Sequence, residues 1–226
     1  MRVTLFKLLD ALSRTVPFPE PIYEFGSFRV PGQEHLPNVR DYFSGKRFVG
    51  CDLRPGPGVE EMQDLHALSL PPDSIGTALL FDTIEHVRDP WTAMRELHRC
   101  LKSGGLVFMT SVWYFPIHAY PDDYFRFTAS GFLTLFEPFD TPIVEMCGLK
   151  RLPHTVVGIA SKGPMDPGVE ASIRQEIAAW KRRGSRSWKE TVQELTPPFL
   201  LIPAYDLFLK TMKIVHPRRH RDGHRH

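Results

Sequence analysis

Cysteine is scarce in this sequence and unpatterned. Cys51, Cys100 and Cys147 are the only three. They lie far apart among apolar neighbours, with no CxxC or Cys/His spacing to join them. That excludes a disulfide framework or a zinc ribbon and fits a reduced, cytoplasmic setting. Long apolar runs are also missing. The longest, Phe199 to Leu209, is interrupted by Pro203 and Asp206 and is too short to span a bilayer. The first residues set Lys7, Asp10 and Arg14 among their leucines and do not read as a signal peptide. Nor does one sign of charge dominate. The formal net charge is +2, and the last eleven residues, HPRRHRDGHRH, contribute +3, leaving −1 for everything else. The basic balance is a property of the tail, and the body does not read as nucleic-acid-binding.

What the chain does have is alternation. Its 226 residues suffice for one α/β domain and a modest appendage. Residues 3–15 form a short amphipathic pattern with Leu5, Leu8, Leu9 and Leu12 on one face. Strand patterns follow at 22–26, 47–53, 59–63, 76–82, 106–112, 142–147 and 154–161. Helical patterns lie at 35–43, with Pro37 in the first turn, and at 129–137. Between 76–82 and 106–112, Asp89 caps a helix with Pro90 at its first position, and Gly104 closes it. Trp91, Met94, Leu97 and Leu101 are its expected apolar face. The expectation is a Rossmann-like, seven-stranded, mostly parallel sheet with helices on both faces. A short turn between the last two strands makes one of them antiparallel. The domain reading is 1–165 for this unit, 166–215 for a C-terminal helical extension (helices at 167–183 and 198–215) and 216–226 for a basic, disordered tail.

In open α/β sheets, ligands bind beyond the carboxyl ends of the strands. Those ends supply Glu24 and Gly26 after the first strand, and Asp52 after the second. Asp64 and Leu65 follow the third, and Asp82, Glu85 and His86 the fourth. A glycine lets a ligand approach the backbone, and a carboxylate at the position of Asp52 can accept both hydroxyls of a ribose. Asp64 with Leu65 can grip an adenine. Plainer readings stand beside these: Asp52 starting a turn, Asp64 capping the next segment, His86 satisfied by a local backbone group, and loop aromatics packing in the core.

This series resembles the class I S-adenosylmethionine-dependent methyltransferases, in particular the large type 11-like family whose core reads DxxEHxxDPxxAxxExxRxLKPGG between two strands. Here it stands as FDTIEHVRDPWTAMRELHRCLKSGGLVFMT, with Ser103 where proline is usual. The resemblance covers about residues 20–160. It implies an enzyme that uses S-adenosylmethionine, held by Glu24, Gly26, Asp52, Asp64, Leu65, Asp82, Glu85 and His86. The loop HAYPDDYFRFT is similar to a subgroup often associated with sugar, polysaccharide or small-metabolite methylation. One departure stands out. The family's glycine-rich ExGxGxG turn is here EFGSFRVPGQE, which keeps Gly26 and a displaced Gly32 and leaves Arg29 or Gln33 to replace lost contacts.

Methyl transfer from a sulfonium needs alignment more than activation, and a hydroxyl acceptor gains from a base. The aromatic loop 113–128 contains Trp113, Tyr114, Phe115, Tyr120, Tyr124 and Phe127 and is read as the acceptor side. His118 and Asp122 are the catalytic candidates, and Arg126 serves either to hold an acceptor or to brace Asp122 or Asp123. The reaction requires no metal, and the sequence shows no compact metal-ligand set, with Asp122 and Asp123 beside His118 as a weak alternative. The leading expectation is methyl transfer to a small-molecule or saccharide acceptor at a hydroxyl, with no nucleic-acid partner. The alternative is a catalytically degenerate Rossmann-like binding or scaffold protein. A weak peripheral membrane contact through 198–226, with Lys210, Lys213 and the Arg/His tail, is a third reading.

Overall fold

The computed structural model describes residues 3–30, 32, 37–118, 122–148 and 153–184. The patterns read at 35–36 and 198–215, the tail, Gln33 and Tyr120 lie outside the described residues. The elements run α1 (Val3–Thr15), β1 (Ile22–Phe25), β2 (Phe48–Asp52), β3 (Glu61–Met62), β4 (Ile75–Phe81), α2 (Pro90–Cys100), β5 (Leu101–Val112), α3 (Ala129–Leu135), β6 (Asp140–Gly148), β7 (Pro153–Ser161) and α4 (Pro167–Gly184).

The seven strands form one sheet in the order β3-β2-β1-β4-β5-β7-β6. β1 pairs in parallel with β2 and β4, β2 with β3, and β4 with β5. β7 runs antiparallel between β5 and β6, as the short turn predicts. The central strands read as continuous apolar runs because both their faces are covered. Alternate side chains go to opposite layers. Ala78 and Leu80 of β4, Val107 and Met109 of β5, and Val156 and Ala160 of β7 pack with α2 and α3 through Met94, Leu97, Phe132 and Leu135. Leu79, Leu106, Phe108, Val157 and Ile159 pack on the other face with Leu5, Leu8, Leu9 and Leu12 of α1 and Ile173, Ile177 and Trp180 of α4.

Three local expectations need correction. The helical pattern at 35–43 is a 3-10 turn over Val39–Phe43, capped by Asn38, whose side chain accepts from Arg40 N. β5 starts at Leu101 rather than 106; the residues taken as the end of a helix pair with Ile75, and the register then shifts through Gly104, φ +74°. Trp91 is not in the core. Asp89 does cap α2, accepting from Thr92 N, but the buried stripe is Pro90, Ala93, Met94, Leu97 and Cys100. Trp91 is 39% exposed, its ring edge-on to Phe125 at 6.0 Å. All three cysteines are free and buried. Among the described residues, no helix is long and apolar enough to cross a membrane.

Candidate active site

β1, β2, β4 and β5 run the same way and end along one edge of the sheet. β1 ends in Gly26 at φ +86°, where a Cβ would stand 2.4 Å from Thr83 Oγ1. Thr83 in turn donates its hydroxyl to Phe25 O and Phe81 O, both at 3.1 Å. Only glycine tolerates that conformation and that approach together. The backbone beyond it is already engaged. Gly26 N and Ser27 N both donate to Cys51 O, and Arg29 N donates to Pro57 O. Ser27 Oγ donates to Gly58 O at 2.9 Å. The loop after β1 therefore leans on the loop after β2, where the Arg54 guanidinium lies 4.1 Å over the Phe28 ring.

The strand-end carboxylates differ in what they already hold. Asp52 uses one oxygen, Oδ1, for Arg54 N at 3.1 Å and Arg54 Nε at 3.3 Å. Asp64 Oδ1 accepts from His66 N at 2.9 Å and lies 2.7 Å from His66 Nδ1, which holds its carboxyl below the usual range. That is the turn-capping role. Leu65 is buried in the core beside α2. Asp82 sits at φ +49° and accepts from Thr110 Oγ1 at 2.9 Å. Glu24 is pushed up to about 7, first by burial and then by Glu60, against Arg40 and Arg29.

The 3-10 turn Ile84–His86 carries the most unusual group. Glu85 is fully buried, and among the described residues neither of its carboxylate oxygens, nor the Ser111 hydroxyl, has a well-formed hydrogen bond, although the Ser111 hydroxyl and Val112 N–H are close enough to pull its pKa down. Burial, then the Asp82 carboxylate, drives the Glu85 pKa upward. Next to it, His86 Nδ1 lies 2.6 Å from Asp122 O. A carbonyl only accepts, so Nδ1 carries the proton. Burial lowers the His86 pKa against that bond.

His118, on the loop after β5, meets His86 from above. The Nε2 atoms are 3.2 Å apart and the rings are edge-to-face, 4.7 Å between centroids. The sequence gives Asp122 the task of orienting the His118 imidazole; the structure gives it to Asp123. Asp123 Oδ2 accepts from His118 N at 3.0 Å and lies 3.2 Å from His118 Nδ1. Its side chain is 1% exposed. The Arg126 guanidinium binds both of its oxygens, which settles Arg126 as a brace and outweighs the upward push of burial on Asp123. Asp122 instead accepts from Tyr124 OH at 2.9 Å. Of the loop aromatics, Phe127 is core, while Phe115 and Tyr124 are exposed.

Glu85, His86 and His118, read separately in the sequence, thus come together, each offering one ligand atom within 4.8 Å of the others. The sequence offers Asp123 as a partner of Arg126 but does not give it the second role, orienting His118. Its spacing of three from Arg126 was the available signal. Asp52 also fits a nucleoside methyl donor: among the described residues no donor reaches its second oxygen.

Residues 45–109 match the family model of a methyltransferase domain. A search of curated proteins found no match. Among solved structures, the 1,6-didemethyltoxoflavin-N1-methyltransferase of Burkholderia thailandensis, with bound 1,6-didemethyltoxoflavin and S-adenosylhomocysteine, superposes with a TM-score of 0.55 at 16% identity, over 72% of this chain and 79% of that one. An S-adenosylmethionine-dependent methyltransferase of Thermotoga maritima superposes at 0.50 and 18% identity, over 70% of this chain and 88% of that one. The match over 45–109 and these superpositions show that the chain has the fold of such methyltransferases.

Proposed function

We propose that this chain methylates a small-molecule acceptor at a hydroxyl group. S-adenosylmethionine supplies an activated methyl group. Gly26, Asp52, Asp82 and Glu24 are assigned to its side of the strand edge, with the free oxygen of Asp52 for a ribose hydroxyl. The 113–128 loop is assigned to the acceptor, and a saccharide falls within its class. The observation that carries the reading is the His86–His118 pair at the carboxyl end of β4. Asp123 and Pro116 O, at 3.2 and 3.1 Å from His118 Nδ1, keep that nitrogen protonated. The lone pair of His118 is therefore left on Nε2, where it accepts the proton of an acceptor hydroxyl. The Burkholderia relative acts on a small molecule, which supports that acceptor class. The free, buried cysteines support a cytoplasmic setting.

A binding or scaffold protein without turnover is the second reading. It is favoured by one observation, the engagement of Gly26, Ser27 and Arg29 N–H groups within the protein. Calorimetry with S-adenosylhomocysteine separates the two. Binding is expected in the parent protein and weakened about tenfold to a hundredfold in Asp52→Ala, the loss of one charge-assisted bond of roughly 1.5–3 kcal/mol. Asp52→Asn is expected to be milder. Absence of binding at millimolar ligand overturns the enzyme reading; unchanged affinity in a folded Asp52→Ala overturns the assignment of Asp52.

A further inference from the structure

We infer that Glu85, His86 and His118 form a site for one divalent first-row transition-metal ion, of which Zn2+ is the simplest case. Three independent features point there. The first is the facing of two lone pairs. His86 donates from Nδ1 to the Asp122 carbonyl. Among the described residues, His118 Nδ1 faces acceptors, Pro116 O and Asp123 Oδ2. Each neutral ring therefore presents an unprotonated Nε2, and these two atoms are 3.2 Å apart. Two lone pairs at that distance repel unless something positive lies between them. The second is spacing. Imidazole nitrogens at about 2.0–2.1 Å from a tetrahedral Zn2+ stand about 3.3 Å from each other. The third is Glu85, whose carboxylate is buried with no well-formed hydrogen bond to either oxygen among the described residues and lies within 4.8 Å of both imidazole ligand atoms. A buried carboxylate without a donor is costly, and a cation satisfies it.

The donor chemistry selects the ion. Two imidazoles and one carboxylate suit zinc, iron, cobalt or manganese, whereas Ca2+ and Mg2+ prefer all-oxygen sets. Three protein ligands leave a position open, as catalytic metal sites do. The other features also look like metal-site support: Asp122 O on His86 and Asp123 on His118 fix the ligating tautomers, the role of groups that hold metal-binding imidazoles from behind. For catalysis the inference rests on the methyl-transfer reading. There an acceptor hydroxyl on the open position becomes more acidic and releases its proton to solvent, and His118 serves as ligand rather than base. Binding of the ion does not depend on that reading.

The sequence dictates one precaution. Four histidines, His216, His220, His224 and His226, stand in the last eleven residues and bind metals on their own. The experiment therefore uses the full chain without an affinity tag and with all four replaced by alanine. Zn2+ is titrated by calorimetry and Co2+ by its visible absorption. One ion per chain is expected, with the Co2+ band intensity of a four- or five-coordinate site. His86→Ala and His118→Ala are each expected to weaken binding about a hundredfold or more, beyond what loss of a supporting group costs. His118 is one-third exposed on a loop, so that variant tests the ligand without disturbing the core. No uptake by the tail-substituted chain, or affinity unchanged from it in either histidine variant, overturns the site; the pair then shares a proton. Unchanged affinity in Glu85→Gln overturns the three-ligand assignment. S-adenosylhomocysteine binding is measured on the same proteins. Retained donor binding without metal uptake refutes the metal alone, whereas metal uptake without donor binding refutes methyl transfer alone.

Discussion

His86 and His118 are 32 residues apart in the chain, yet their Nε2 atoms meet at 3.2 Å. The turn after β4 supplies one ring and the loop after β5 the other. Two adjacent acidic residues, Asp122 and Asp123, fix them separately, the first by its carbonyl on His86 and the second by its carboxylate on His118. Tyr124 N and Phe125 N also donate to Glu85 O, which ties this loop to the end of β4.

His118→Ala removes the imidazole that activates the acceptor hydroxyl, as its base or as a ligand of the ion that acidifies it. Turnover on a hydroxyl acceptor is expected to fall by about 10²–10⁴, with S-adenosylhomocysteine affinity unchanged, because this loop is assigned to the other substrate. Steady-state rates and calorimetry on one preparation check the split. Loss of donor affinity together with turnover would place the loop in the donor site instead.

Asp123→Ala and Asp122→Ala, one position apart, are expected to behave very differently. Asp123 is almost wholly buried and binds the Arg126 guanidinium with both oxygens. Removing it strands a charge, at a cost of about 3 kcal/mol, the low end for a buried pair because Arg126 stays partly exposed. Asp122 is exposed and, among the described residues, its side chain holds Tyr124 OH alone, a bond worth about 1 kcal/mol or less there. Urea midpoints report both. Equal losses would mean that Asp123 does not anchor the loop.

The contrast between these two residues also shows where the sequence stops being legible. β4 and α2 announce themselves: seven consecutive apolar or small residues for a strand covered on both faces, and Asp89-Pro90 for a capped start. That one of the last two strands runs antiparallel follows from the short turn between them, whereas the strand order comes from pairings remote in sequence. Trp91 does not, because Pro90 sets the helical phase and turns position 91 away from the stripe at 93, 94, 97 and 100. Leu101 to Gly105 looks like a helix end because its pairing partner, Ile75, is remote in sequence. Strand-end rules put Gly26, Asp52, Asp82, Glu85 and His86 along one edge of the sheet, where the strand pairing has them, while the choice between Asp122 and Asp123 depends on loop geometry that no periodicity encodes. Leu65, expected against an adenine, faces the core.

Glu24 makes stability depend on pH in the direction opposite to most carboxylates. Its folded pKa is pushed up to about 7 by burial and by Glu60, against the pull of Arg40 and Arg29. An unfolded glutamate ionises near about 4.3. Between these values the folded chain holds a proton that the unfolded chain has released. The proton count therefore favours the folded state less as pH rises, and this contribution to stability falls from about pH 4.3 to about pH 7 and is level above. Glu24→Gln cannot ionise and keeps nearly the same shape. Its stability relative to the parent is expected to rise steadily across that window and to plateau beyond it, whatever the other carboxylates do, because they titrate alike in both proteins. Urea unfolding at half-unit steps from pH 4.5 to 8 measures the difference directly. Parallel curves for the two proteins would show that Glu24 ionises as freely when folded as when unfolded, and its placement beside Glu60 at the base of the donor edge would then be wrong.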